Sequence, residues 1–307
     1  MATPLREPAP ARDRTTAGAP APVPRRRTSR DVWTAALFFL APAVVALLAL
    51  RIIPTLSAVE TSIPFGTDRA LLSNFTYIFS DPDFLGSLRV TLLFSLVVNP
   101  IQIGLALALA VLLTKKLPAV GLWRTLILLP IAVPQAVSAI IWLVLMRPDG
   151  PLNGVANALG LPSVPWLVSP DVALASIVIV CSWVGVGYWM TFLVTGIRDI
   201  PTSLYEASSI DGANGWQQFR SITLPGLRRP LLFVLVADTV SNLLIFAPVR
   251  VLTQGGPQGS TNMIMYDISE RAYTLGDTQA ASAGTLVLVV IVVAIVAVQF
   301  RLLPGKD

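Results

Sequence analysis

Long apolar runs separated by short polar stretches organise this chain. Beginning at Val32, six runs follow one another: Val32 to about Ser57, then 86–113, 121–146, 172–197, 231–250 and 280–302. A helix of about 20 apolar residues crosses a bilayer's hydrocarbon core, because a helix satisfies its backbone N–H and C=O groups internally. The pattern predicts an all-α membrane protein with six transmembrane helices. Between the fourth and fifth runs lies a polar stretch of a different kind, Ile200 to Pro230, reading IPTSLYEASSIDGANGWQQFRSITLPGLRRP. Ser203 and Glu206 have the S-x-x-E spacing of a capping box, and Gly212 is a natural stop for the helix they would begin. A second start at Asn214, with Gln217 three residues on as a weaker box, would carry Trp216 and Phe219 until Pro225 ends it. This stretch is expected to fold as two short helices.

Composition narrows the chemistry. The 307 residues are 54% hydrophobic and 13% charged, the latter roughly half the share of a soluble domain. There is no histidine, and the one cysteine, Cys181, lies inside an apolar run. Metal clusters, disulfide frameworks, Cys/His dyads and histidine proton transfer are thereby excluded, and no catalytic residue or metal ligand is expected. Residues 1–31, rich in Ala, Pro and Arg, cannot bury a core and are expected to form a disordered basic tail. The run from Val32 is too long for a signal-peptide core and has no early small-residue cleavage site, so it is read as a retained first span.

The basic residues set an orientation, since Lys and Arg near span ends stay on the cytoplasmic side. With the N-terminus inside, sixteen of the 22 fall there, including Arg25, Arg26, Arg27, Arg30, Lys115, Lys116, Arg124, Arg198, Arg220, Arg228, Arg229 and Arg301. Arg51, Arg69, Arg89, Arg147, Arg250 and Arg271 fall outside. Both termini are therefore expected in the cytoplasm, as is the 200–230 loop. Topology accounts for the net charge of +5 better than nucleic acid, which is not expected as a partner.

The loop then carries a resemblance. Glu206-Ala207-Ser208-Ser209-Ile210-Asp211-Gly212-Ala213, followed by Phe219, Ile222, Leu224 and Pro225, is similar to the EAA loop of bacterial ABC import permeases, with Ser208 where a second Ala is usual. Pro130 to Trp142 with Gly150 and Asn153, and Leu252-Thr253-Gln254-Gly255-Gly256-Pro257, resemble segments of the sugar-type branch of that family. The resemblance covers most of the chain from residue 32, leaving the tail outside a permease domain of 32–307. It implies a type I ABC importer permease fold with a cytoplasmic coupling helix, in a bacterial plasma membrane. It also implies a second homologous permease, two ATP-binding subunits that hold ATP and Mg, and an extracytoplasmic solute-binding protein. No cofactor is implied in this chain. Glu206, Ala207, Ser208, Asp211, Gly212 and Ala213 would couple to the ATPase, and Gly255, Gly256 and Pro257 would help dock the binding protein.

Polar groups at membrane depth are costly and therefore candidates for the substrate path. Asp238 is the one acidic residue well inside a predicted span, with Asn242 a helical turn later on the same face. Asn99 and Gln102 in the second run, Gln135 in the third, and Trp183, Tyr188 and Trp189 in the fourth join them. Interhelical hydrogen bonding is the competing reading for Asp238, and helix packing or an interface belt for the aromatics. Outside the membrane, Asp81, Asp83, Asp149, Glu270 and Asp277 offer an acidic landing surface or simply a solvated face. The cargo expected is a di- or oligosaccharide such as trehalose or maltose, with glycerol-3-phosphate or glycerophosphodiesters second. A secondary transporter would show internal repeats and a membrane enzyme a reactive cluster, and neither is evident.

Overall fold

The computed structural model describes residues 29–63, 71–115 and 118–302. Residues 1–28 of the expected 1–31 tail lie outside these residues, as do Arg69, Lys116 and Lys306. Among the described residues every regular element is helical, and the chain divides into two compact units at Pro54.

The first unit holds α1 (Ser29–Leu47) and a π-helical turn, Leu48–Ile52. The amide of Ile53 reaches back five residues to the Leu48 carbonyl, a widening that accommodates Pro54, whose ring has no N–H to offer the helix. The same helix continues as α2 (Ile53–Ser62), so the apolar helix extends to Ser62, past the predicted end at Ser57.

The second unit, which takes in α2 from Thr55, continues with α3 (Ser73–Ser80) and α4 (Pro82–Thr114). The Asp81 carboxylate caps α4 by accepting the Asp83 amide at 2.9 Å, and Pro82 fills its first position. Next come α5 (Val120–Leu128), a 3₁₀ turn (Leu129–Ala132), α6 (Gln135–Leu145), α7 (Pro151–Ala158) and α8 (Pro170–Arg198). The polar loop holds α9 (Thr202–Ile210), α10 (Gly215–Gln218), a π turn (Phe219–Thr223) and α11 (Leu224–Gly226). The chain closes with α12 (Arg228–Leu243), α13 (Ala247–Leu252), α14 (Ile264–Ser269), a π turn (Glu270–Thr274) and α15 (Thr278–Leu302).

Five helices among the described residues are long and apolar enough to cross a membrane: Leu37–Ser62, α4, α8, Arg228–Leu252 and α15. The third predicted span is not a straight helix. It is a pair, Val120–Ala132 and Gln135–Leu145, bent by 100°, so the described residues hold six spans where that pair counts as one broken span. Proline is the cause. Pro134 drives Val133 to an extended ψ of 124°, the conformation forced on a residue before proline, and Pro130 removes a further helical donor. A milder break at Leu244–Phe246 separates α12 from α13 before Pro248.

The most extensive helix pair is α4 with α8. Small residues allow it: Ala106 and Ala110 are fully buried beside Met190 and Leu193, as expected where helices pack by close approach rather than by hydrophobic drive. At two points α8 tolerates only glycine. A Cβ on Gly187 would lie 2.4 Å from the Ile127 carbonyl oxygen of α5, and one on Gly196 would lie 2.6 Å from Pro230 of α12.

Candidate functional site

The 200–230 loop folds as two joined helical pieces, though not by the caps expected of it. The N-cap of α9 is Pro201 with no side-chain hydrogen bond, so the Ser203–Glu206 box does not form: Ser203 already lies inside the helix. The box at Asn214 and Gln217 does form, with reciprocal bonds of 2.7 and 3.0 Å. Gly212, at φ +80°, ends α9 as expected. Its amide donates to the Ser209 carbonyl at 3.1 Å and that of Ala213 to Ser208 at 2.9 Å, the double closure for which a left-handed residue is needed. Pro225 does not end the second helix. A π turn precedes it, Leu224 donating back to Phe219, which is the device seen before Pro54.

Two side chains absent from the sequence reading tie the pieces together. Gln218 Nε2 donates to Ser209 Oγ at 2.9 Å and Ser208 Oγ at 3.1 Å, and the Tyr205 hydroxyl pairs with that of Thr223 at 2.9 Å. Of the expected coupling residues, Glu206, Ala207, Asp211 and Gly212 are exposed, and Ser208 and Ala213 are half-buried. Around them Ile210 is 88% and Trp216 68% exposed, so this rigid module presents large apolar groups next to the Glu206 carboxylate.

Within the helical core four of the expected path residues, Asn99, Gln102, Asp238 and Asn242, gather in one network. Asn242 Nδ2 donates to Asn99 Oδ1 at 2.8 Å, to Asp238 Oδ1 at 3.0 Å and to Gln102 Oε1 at 3.3 Å. Asn99 in turn donates to Ser95 and Thr239, and Gln299 of α15 to Thr239. Trp189 lies alongside Asp238, whose Oδ2 has no hydrogen-bond partner among the described residues. All these groups except Gln299 are buried, and they join α4, α12 and α15. Thr239 and Gln299 carried no signal in the sequence, because only the packing of α12 on α15 brings them together.

The other path candidates lie elsewhere. Trp183 meets Trp142 edge-on, ring centroids 5.7 Å apart, in a cavity of about 590 Å³ at the elbow between α5 and α6, where α8 forms the opposite wall. None of the described residues that line this cavity is charged. Among the described residues, the buried Trp142 Nε1, Ser182 Oγ and neighbouring Ser138 Oγ have no hydrogen-bond partner. Gln135 starts α6 and is exposed, and Tyr188, also exposed, stacks edge-on with Trp189 and Phe192 instead.

At the end where α4 begins, the Leu252–Pro257 segment forms a packed knot. Gly255 is buried at φ +79°, where a Cβ would lie 2.9 Å from the Tyr266 ring. Thr261 Oγ1 donates to the Gly256 carbonyl at 2.6 Å, while Gly256 and Pro257 are half-buried. Gly255 and Gly256, with Tyr77 and Tyr266, edge a pocket of about 490 Å³ built around Arg271. That guanidinium donates to Asp267 at 2.7 Å and Asp81 at 2.6 Å, and Arg250 pairs with Glu270 beside it. Burial would raise the Asp81 carboxyl, but bonds from Arg271 and the Asp83 amide hold it below its ordinary value. Burial likewise opposes the Arg271 charge, yet Asp267 and Asp81 hold its proton more firmly than usual. The i,i+4 spacing of Asp267 and Arg271 was visible in the sequence; the third member, Asp81, is 190 residues from Arg271 and was not.

The family model described as binding-protein-dependent transport system inner membrane component matches residues 102–305. The sn-glycerol-3-phosphate transport system permease protein UgpA of Agrobacterium fabrum is 34% identical over 232 residues, 75% of this chain and 79% of that protein. The trehalose/maltose transport system permease protein MalF of Thermococcus litoralis is 35% identical over 231 residues, 75% of this chain and 78% of that protein. Among solved structures, a chain of a bacterial ABC transporter involved in the import of the acidic polysaccharide alginate superposes with a TM-score of 0.81 at 20% identity, covering 90% of this chain and 97% of that one. That likeness is one of fold.

Proposed function

This chain belongs to the family of binding-protein-dependent transport system inner membrane components, and from that membership we infer that it is one of two homologous permease subunits enclosing the pathway of an ATP-driven sugar importer. It is a multi-pass membrane protein with the fold of ABC importer permeases. In this reading both termini and the 200–230 loop face the cytoplasm of a bacterium. Two ATP-binding subunits hold ATP and Mg, and an extracytoplasmic binding protein delivers the cargo at the face carrying Gly255, Gly256 and Pro257.

The observation that carries the coupling role is the construction of the α9–α11 module. A permease that hydrolyses nothing receives work only through a stiff contact. Here stiffness comes from the double closure at Gly212, the Asn214–Gln217 box and the Gln218 bonds, and the exposed Glu206 and Ile210 supply the docking face. For the cargo, a di- or oligosaccharide such as trehalose or maltose fits the elbow cavity, whose paired tryptophans and uncharged lining offer ring-stacking without charge. The similarity to a glycerol-3-phosphate permease supports the second reading, a glycerol-3-phosphate or glycerophosphodiester cargo, but a phosphate would call for cations that this cavity lacks. Asp238, Asn242, Asn99 and Trp189 serve the path from the buried network, by fixing α12 against α4.

Replacing Glu206 with Lys tests the coupling role: membrane insertion is retained and uptake of labelled sugar is abolished. Normal uptake by that variant would refute it. Uptake that survives loss of the ATPase partner, or that collapses only with the ion gradient, would restore the secondary-transporter alternative.

A further inference from the structure

A second cavity, of about 510 Å³, lies where α4 and α8 end and the α9–α10 module begins. Among the described residues two cations line it, Lys115 at the C-cap of α4 and Arg198 in the last turn of α8, and no carboxylate does. Neither cation has an ion pair among the described residues. Polar walls come from Thr202, Tyr205 and Gln218, and an apolar floor from Val111 and Phe219. Helix C-termini carry about half a negative charge each, which two full positive charges outweigh, so the cavity is electropositive with an apolar side.

We propose that this cavity is a binding site for a phosphoryl group, held between Lys115 and Arg198. The apolar floor and the position at the ends of two spans suit the headgroup of an anionic phospholipid, because basic pockets between membrane helices on the cytoplasmic side take such headgroups; a free phosphate has the same charged chemistry. The leaflet rests on the orientation proposed above, whereas the charge and the cavity do not. Tyr205 and Gln218 belong both to the cavity wall and to the bonds that hold α9. A bound phosphoryl group would therefore stiffen the coupling module, making coupling sensitive to the anionic content of the membrane.

The test uses the assembled transporter, purified with its companion subunits and equilibrated with phosphatidylcholine and phosphatidylglycerol at about 7:3. Retained phosphatidylglycerol is then counted by mass spectrometry. The variant Lys115→Gln/Arg198→Gln is expected to retain about thirtyfold less than wild type, the product of two charges each contributing about fivefold at a membrane surface. The charge-preserving Lys115→Arg/Arg198→Lys, which separates lost charge from lost fold, is expected to retain as much as wild type. If lipid retention does not differ but inorganic phosphate raises the melting temperature of wild type and not of the Gln variant, the phosphoryl group comes from solution. Equal retention together with equal response to phosphate overturns the site. Since neither readout requires transport, a failed importer reading and a failed site remain distinguishable.

Discussion

Arg271→Met removes the cation at the centre of the pocket where α4 begins while keeping a side chain of similar length. Its effect follows from burial: the Arg271 and Asp267 side chains are 7% and 8% exposed and Asp81 is 20% exposed. Breaking a buried pair by deleting one partner costs about 3–5 kcal/mol, because the remaining charge is left uncompensated. Here two carboxylates are left, but Asp81 can partly hydrate, which places the loss near the lower end, about 3 kcal/mol. At about 2–4 °C per kcal/mol for a chain of this size, the melting temperature should fall by about 6–12 °C. Thermal unfolding of the detergent-purified protein reads this directly. Adding Asp81→Asn and Asp267→Asn to the variant removes the stranded charges and should recover most of the loss. A melting temperature for Arg271→Met within about 2 °C of wild type, or a triple variant less stable than the single, would refute the reasoning.

Three further outcomes follow from the same geometry. The Asp81 carboxyl is held below its ordinary value of 3.8, so its stabilising contribution is present above that value and is lost as pH falls through the lower, folded one; melting curves in acid should show this loss in wild type and a smaller one in Asp81→Asn. Gly187→Ala places a Cβ 2.4 Å from the Ile127 carbonyl and should cost about 1–3 kcal/mol by forcing α5 away from α8, measurable as a lowered melting temperature. Gln218→Ala removes the bonds to Ser208 and Ser209 without touching a membrane span. It should raise amide exchange in α9 and reduce uptake at unchanged expression, and protection equal to wild type would show that Gln218 does not stiffen the module.

Much of the membrane architecture was legible because its cause is local. An apolar run of bilayer length has few alternatives to a spanning helix, and α4, α8 and α15 appear close to their predicted bounds. For the third span hydropathy marks the length but not the bend, because it counts apolar residues without registering backbone donors: Pro130 and Pro134 cost it little hydropathy but removed its continuity. In the loop, spacing alone could not rank the two capping boxes. Pro201 supplied the start of α9 one residue ahead of Thr202 and left Ser203 nothing to cap, while Asn214 stood at a true helix entrance.

By itself the sequence determined what depends on neighbours along the chain: the apolar spans, the stop at Gly212, the second cap at Asn214 and the shared helical face of Asp238 and Asn242. Tertiary structure alone decided what depends on distant segments meeting. Asp81 joins Asp267 and Arg271 across 190 residues, Asn99 meets Asn242 across 143, and Lys115 and Arg198 come to share one cavity. Local propensity carries no term for such encounters, since each depends on which helix faces which. That choice is made by close packing at glycines such as Gly187 and Gly196, where a single methyl group would not fit.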